Sequence, residues 1–319
     1  MPVISQSSYV APWYALGAHG QTILPNVTRR RIRLDYRRER FELPDGDFVD
    51  VDWAREEGER CVLAIHGLEG SSEAPYMKSI LRSLSKAGYA AAALNLRGCG
   101  GEPNRLLRSY HSGSSDDLRS VVEELYRRFG GVYLVGFSLG GNITLKYLGE
   151  EGASLDTKLK AGVAISVPCD LASSAEVLGK WSNAFYMKRF MTMLTAKVRE
   201  KAARFPGELS AERCKGMRTF GEFDDAFTAP MNGFADAEDY WKRASSKPLL
   251  WKIGRPALLI NAVNDPFLPD ECYPIEEAKG SDWFHLEMPR AGGHCGFPGT
   301  RSGEGYWIER RVMEFFGGG

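Results

Sequence analysis

The 319 residues carry no excess of charge: lysine plus arginine and aspartate plus glutamate both total 41, so the formal net charge is zero. That balance gives a polyanion nothing to hold, and nucleic acid is not an expected partner. No two of the six cysteines, at 61, 99, 169, 214, 272 and 295, form a C-x-x-C pair. This removes the common zinc and dithiol motifs and predicts reduced thiols in a cytoplasmic setting. No apolar run approaches about 18 residues, and residues 1–20 lack a basic segment followed by an apolar core. The expectation is a chain that is not exported and has no integral membrane association. At 43% hydrophobic and 26% charged, the composition is ordinary for a globular protein and suffices for one large core with an insertion.

Residues 1–26 show no clear period and are expected to form an irregular arm. Residues 40–43 and 48–53 alternate in part around Pro44-Asp45-Gly46-Asp47, which predicts an antiparallel hairpin at a sheet edge. Acidic residues interleave with the arginines between 29 and 40, so that stretch reads as a solvated strand face. From residue 61 the pattern changes to short, continuous apolar runs, at 61–65, 89–94, 132–135, 161–167, 257–262 and 284–288. Helical periodicity lies between them, as at Leu118, Val121, Val122 and Leu125, and a last helix is expected over about 306–316. Repeated strand–helix units of this kind predict a mostly parallel, doubly wound α/β sheet. The segment 170–246 lacks a β-run and is rich in methionine and aromatic residues, which predicts a helical cap inserted into a core of 1–169 and 247–319. An apolar helix face is usually ordinary core; over an active site, Trp181, Phe185, Tyr186 and Phe190 would instead line an acyl pocket.

The run 132–135 leads into Gly136-Phe137-Ser138-Leu139-Gly140, with a helix-favouring stretch behind it. Strand, sharp turn and helix in that order make a nucleophile elbow, in which Gly136 and Gly140 must lack a Cβ for the turn to close. In a chain rich in glycine and serine the pentapeptide can arise by chance, so its context has to support it. A serine hydroxyl needs a base to take its proton and a third group to orient that base. Of five histidines, His294 alone follows the last strand, within Gly292-Gly293-His294-Cys295-Gly296, and it is the expected base. Asp265, in the turn after 257–262, is the expected orienting acid, with Asp170 as the competing candidate. The oxyanion would be held by the N–H groups of Leu139, next to the serine, and Leu68, in the glycine-bearing turn after 61–65. His66 has no partner at metal-ligand spacing, and Arg97-Gly98-Cys99-Gly100-Gly101 lacks the Lys-Ser/Thr of a phosphate loop.

Taken together, these motifs resemble the YheT-like group of α/β-hydrolases, which includes bacterial esterases, membrane-anchored animal relatives and fungal acyltransferase/esterases. The resemblance runs through His19-Gly20-Gln21-Thr22, His66-Gly67-Leu68-Glu69-Gly70, Asn95-Leu96-Arg97-Gly98-Cys99 and Tyr110-His111-Ser112-Gly113. It continues through the elbow with Gly141-Asn142, the cap residues Phe223-Asp224 and Thr228-Ala229-Pro230, and the ends Asp265-Pro266-Phe267 and Gly292-Gly293-His294. It departs at Ala18, Asn264 and Cys295, where glycine, an acid and an aliphatic residue are expected, and the animal relatives' N-terminal anchor has no counterpart. The resemblance implies an α/β-hydrolase fold and a Ser-His-Asp esterase for short- to medium-chain carboxylic esters, with a small-molecule substrate and no metal or organic cofactor. Acyl transfer to an alcohol, hydrolysis of a lipid such as a monoacylglycerol, and retention of the pocket as a receptor are the alternatives it leaves.

Overall fold

The computed structural model describes residues 2–4, 6–29, 32–299 and 305–317. A short strand β1 (Val3–Ile4) and a helix α1 (Gly17–Thr28) precede a hairpin of β2 (Arg37–Glu42) and β3 (Phe48–Arg55). Strands and helices then alternate: β4 (Arg60–Ile65), α2 (Pro75–Lys86), β5 (Ala90–Asn95), α3 (Ser115–Arg128), β6 (Gly131–Phe137), α4 (Leu139–Glu151) and β7 (Leu159–Ile165). Here the chain leaves the sheet for α5 (Leu171–Gly179), α6 (Ala184–Arg204) and shorter helical segments, among them Ala237–Ala244. It returns as β8 (Ala257–Ile260) and β9 (Phe284–Glu287) and ends in the helix Trp307–Gly317.

The nine strands among the described residues form one sheet in the order β1-β9-β8-β7-β6-β4-β5-β3-β2. Pairing is parallel from β1 to β5 across that order and antiparallel where β3 and β2 close the other edge. Successive residues of a strand point to opposite faces, so the continuous apolar runs feed two cores. In β4, Cys61, Leu63 and Ile65 pack with α3 and α4 residues such as Leu118, Val122 and Ile143. Val62 and Ala64 pack on the other face with Met77, Ile80 and Leu84 of α2 and Val312 of the last helix. Because the central strands run the same way, Leu68, Ser138, Asp265 and His294 all follow strand C-terminal ends and share one edge of the sheet.

Two expectations meet the structure differently. The N-terminal arm is not irregular throughout: Val3 and Ile4 pair with Leu286 and Glu287, and residues 17–28 are helical. The helix escapes notice because its burial is inverted. It turns Gln21, Thr22 and Pro25 inward and leaves Ile23 and Val27 outward, so it has no inward apolar stripe. The arginine run is divided. Arg38 and Arg40 lie against Asp52 and Asp50 at 2.7 and 2.9 Å, whereas Arg29 is buried and donates to the Phe297 carbonyl at 3.1 Å. Residues 30 and 31 lie outside the described residues. In the segment between β7 and β8, Met187, Met191, Leu194 and Val198 of α6 pack with Phe223 and Phe227, and also with Phe267, which follows β8.

Candidate active site

The turn between β6 and α4 holds Ser138 at φ 52° and ψ −119°, a left-handed backbone that an L-residue adopts only under constraint. The flanking glycines supply that constraint. A Cβ on Gly136 would lie 2.4 Å from the Gly140 carbonyl oxygen, and one on Gly140 would lie 2.4 Å from that of Ile65. Glu69, Ser166, Cys295 and Phe297 are the other non-glycine residues with positive φ among those described, and the Cys295 N–H donates to Ser166 Oγ at 2.8 Å. Backbone strain is therefore concentrated in the loops around one serine.

His294 Nε2 lies 2.9 Å from Ser138 Oγ, and His294 Nδ1 lies 2.9 Å from Asp265 Oδ2. Burial alone would lower the imidazole pKa, but Asp265 and the adjoining Cys295 outweigh it and push the value up to about 10. The Asp265 side chain is fully buried, and its Oδ1 also accepts the Phe267 N–H at 2.9 Å, which fixes the carboxylate toward the ring. The competing Asp170 is occupied elsewhere: it is the N-cap of α5 and accepts from the Ser173 N–H at 3.1 Å.

The loop carrying His294 is held by α1, a contribution the sequence pattern did not reveal. Thr22 Oγ1 accepts the His294 N–H at 2.9 Å, and Gln21 Oε1 accepts from Gly292 N at 2.7 Å and from Asn264 Nδ2 at 2.9 Å. Asn264 Oδ1 in turn accepts the Gly293 N–H at 3.1 Å, so the residue that replaces an expected acid ties the two loops together. The motif His19-Gly20-Gln21-Thr22 was the available signal, but its partners lie far along the chain.

On the other side of Ser138, Gly67 approaches so closely that a Cβ there would lie 3.1 Å from the serine Cβ, placing the Leu68 turn beside the elbow. His66 is an internal strut: Nε2 accepts the Leu96 N–H at 3.1 Å and Nδ1 faces the Gly67 carbonyl at 2.7 Å, which sets the Nδ1–H tautomer. Next to Leu68, the Glu69 N–H donates to the Tyr110 hydroxyl at 2.9 Å, and that hydroxyl donates back to Glu69 Oε1. Lys197 of α6 reaches down to the same carboxylate at 3.1 Å and to Cys99 Sγ at 3.0 Å. Further along α6, Lys201 Nζ lies 2.9 to 3.0 Å from four acceptors, Asn104 Oδ1 and the carbonyls of Leu106, Leu107 and Arg108, which its three N–H groups share. At the far end of the insertion, Asn142 Nδ2 donates to Ser112 and Ala244 carbonyls at 2.8 Å, so the elbow helix grips the returning chain.

The helical segment thus covers a cavity of about 230 Å³ that reaches Ser138, Leu139 and His294 and is lined by apolar groups including Leu68, Phe190, Leu194, Phe220 and Phe267. Of the four expected pocket residues, Phe190 lines it. Tyr186 is buried behind the lining, with its ring 4.7 Å from that of Phe267. Trp181 and Phe185 do not line it, being 92% and 68% exposed on the outer surface. Trp181 stands just before α6 and Phe185 in its first turn, both on the side turned away from the cavity, a distinction that periodicity alone does not encode.

A model described as the alpha/beta hydrolase fold matches residues 61–297. "Putative esterase YheT" of Escherichia coli (strain K12) is 36% identical over 306 residues, 93% of this chain and 89% of that protein. Phospholipase ABHD3 of Homo sapiens is 29% identical over 318 residues, 96% of this chain and 76% of that protein. Among solved structures, the Pyrococcus furiosus esterase Pf2001 superposes with a TM-score of 0.58 at 19% identity, covering 98% of each chain, a likeness of fold.

Proposed function

The chain belongs to the α/β-hydrolase family, and from that premise we propose that it is a carboxylesterase whose triad is Ser138, His294 and Asp265. The observation that carries this reading is the unbroken relay of two 2.9 Å contacts from Asp265 through His294 to Ser138 Oγ. In the proposed cycle Ser138 Oγ attacks the ester carbonyl carbon while His294 Nε2 takes its proton. The N–H groups of Leu139 and Leu68 hold the oxyanion, and the intermediate collapses as His294 returns the proton to the departing alcohol. Water then attacks the acyl-enzyme by the same route and frees the acid.

The segment 170–246 acts in this reading as a cap over the acyl site. The apolar part of the lining, Leu68, Phe190, Leu194, Phe220 and Phe267, supports a hydrocarbon acyl chain, which we take to be short to medium in length. The experiment is hydrolysis of p-nitrophenyl esters from acetate to palmitate, with Ser138→Ala beside the wild type. A rate peaking at one chain length, and lower by on the order of 10⁴ to 10⁶ in kcat in the variant, is expected. Equal rates in the two proteins remove the reading. With ethanol added, the ratio of ethyl ester to free acid reports whether the acyl-enzyme is also passed to an alcohol.

A further inference from the structure

The helix α1 turns the polar Gln21 and Thr22 to the protein interior and leaves the apolar Ile23 and Val27 on the surface. Its N-cap Leu16 is 79% exposed, and Ile23 and Val27, seven and eleven positions further, continue the same stripe. Just ahead of it, Val10 and Trp13 are 84% and 87% exposed. On the covering segment, Trp181 and Phe185 stand open one helical turn apart. The two groups adjoin, because His19 Nδ1 lies 3.2 Å from the Tyr186 hydroxyl and the Tyr186 ring packs edge-on against Phe185 at 5.7 Å. An exposed apolar face of this kind marks a site that another phase or molecule covers.

Charge decides which. Asp35 is the first acid of the chain, and none occurs from 177 through 199, although the whole sequence has 41. Both segments that build the face are therefore free of acid, while Lys180, Lys188 and Arg189 stand exposed beside Trp181 and Phe185. In a chain of zero net charge this is a local basic rim around an aromatic and aliphatic centre. Tryptophan at headgroup depth with lysine and arginine against phosphate is the chemistry of a lipid–water interface.

We propose that this face docks on the surface of an anionic lipid bilayer, with Trp13, Leu16, Trp181 and Phe185 entering the headgroup layer and the three basic residues meeting its phosphates. Attachment is peripheral: no helix among the described residues is long and apolar enough to cross a membrane. Three ring contacts link Phe185 of the docked face to the site: Phe185 packs on Tyr186, Tyr186 on Phe267, and the Phe267 ring lies 4.2 Å from that of His294. The docking does not rest on the esterase reading.

The test is co-sedimentation of the full chain with vesicles of phosphatidylcholine alone and of phosphatidylcholine mixed equally with phosphatidylglycerol. Pelleting with the anionic vesicles, weakened by salt and accompanied by a blue shift of tryptophan emission, is expected. Lys180→Glu/Lys188→Glu/Arg189→Glu should weaken it on the order of a hundredfold, and Trp181→Ser/Phe185→Ser should abolish the blue shift. Both variants should keep the wild-type circular dichroism spectrum and hydrolysis of a water-soluble ester. If the wild type ignores both vesicles, or both variants bind as it does, the proposal fails. A concentration-dependent dimer that Trp181→Ser/Phe185→Ser dissolves would also overturn it, by assigning the face to a second copy. Absence of esterase activity with intact vesicle binding would sink the enzymatic reading and leave this one standing.

Discussion

Thr22 Oγ1 accepts the backbone N–H of His294 at 2.9 Å, joining two residues 272 positions apart. The same hydroxyl donates to the Ala18 carbonyl at 2.8 Å, so its orientation is fixed by α1. The proposed base is thereby anchored to the N-terminal helix as well as to Asp265, and the fit is tight: a Cβ on Gly293 would lie 2.7 Å from the Thr22 nitrogen.

Thr22→Val keeps the shape of the side chain and removes the acceptor. The His294 N–H is then left buried without its partner, at a stability cost of about 1 to 3 kcal/mol. Displacement of the imidazole should lower kcat by roughly tenfold to a hundredfold with KM nearly unchanged, and Thr22→Ser should restore most of the rate. Steady-state kinetics on one ester, with thermal melts alongside, check it. A fall in melting temperature without a fall in kcat would make Thr22 a purely structural residue.

Lys197 offers a second positioning contact, from the covering segment to the loop of Leu68. It is the cationic partner of a Glu69 carboxylate whose side chain is only 4% exposed and whose backbone is strained at φ 53°. Lys197→Met leaves that carboxylate with Tyr110 and no charge to balance it. The strained turn should relax, carrying the Leu68 N–H away from its proposed place at the oxyanion. A loss of about tenfold to a hundredfold in kcat, reversed in large part by Lys197→Arg, is expected. If KM alone rises, the lysine serves substrate binding and not the turn.

The mostly parallel sheet and the meeting of Ser138, Asp265 and His294 were legible because each of the three follows a continuous apolar run. A buried parallel strand leaves such a run in the sequence, and a sheet of parallel strands gathers their following loops at one edge. What was not legible depends on partners distant in sequence. Gln21 and Thr22 are ordinary polar residues until the loop of His294 arrives. Lys197 and Lys201 meet their acceptors only when the loops of Glu69 and Asn104 come up to α6. Trp181 and Phe185 illustrate the converse: helical spacing showed an aromatic face but not whether it turns toward the cavity or toward solvent.

Rate should depend on pH through His294. The imidazole must be unprotonated to accept the serine proton, and Asp265 and Cys295 raise its pKa against the effect of burial. The profile of kcat/KM on a neutral ester should therefore climb about tenfold per pH unit and level off on the alkaline side. Asp265→Asn removes the charge that favours the imidazolium, so the inflection should move to lower pH while the plateau falls steeply. A profile flat across the neutral and alkaline range would argue against His294 as the base.

Stability should fall on the acid side because two other histidines are buried uncharged. Desolvation lowers His66 to about 4 and His111 to about 3, against 6.5 for an unperturbed ring. Below pH 6.5 the unfolded chain binds protons that these rings in the folded state refuse, so the folded state loses ground as pH drops toward the lowered values. The full difference is on the order of 3 to 5 kcal/mol for each ring. His294 works in the opposite sense: its raised pKa favours the folded state below pH 6.5 and loses that effect as pH rises, so it does not cause the acid loss. His66→Gln keeps an amide that can both donate toward Gly67 and accept from Leu96, without a titrating group. Thermal melts from neutral pH to about pH 4 should show a shallower decline for this variant than for the wild type, even if it starts lower. Parallel declines would mean that His66 does not control the acid limit.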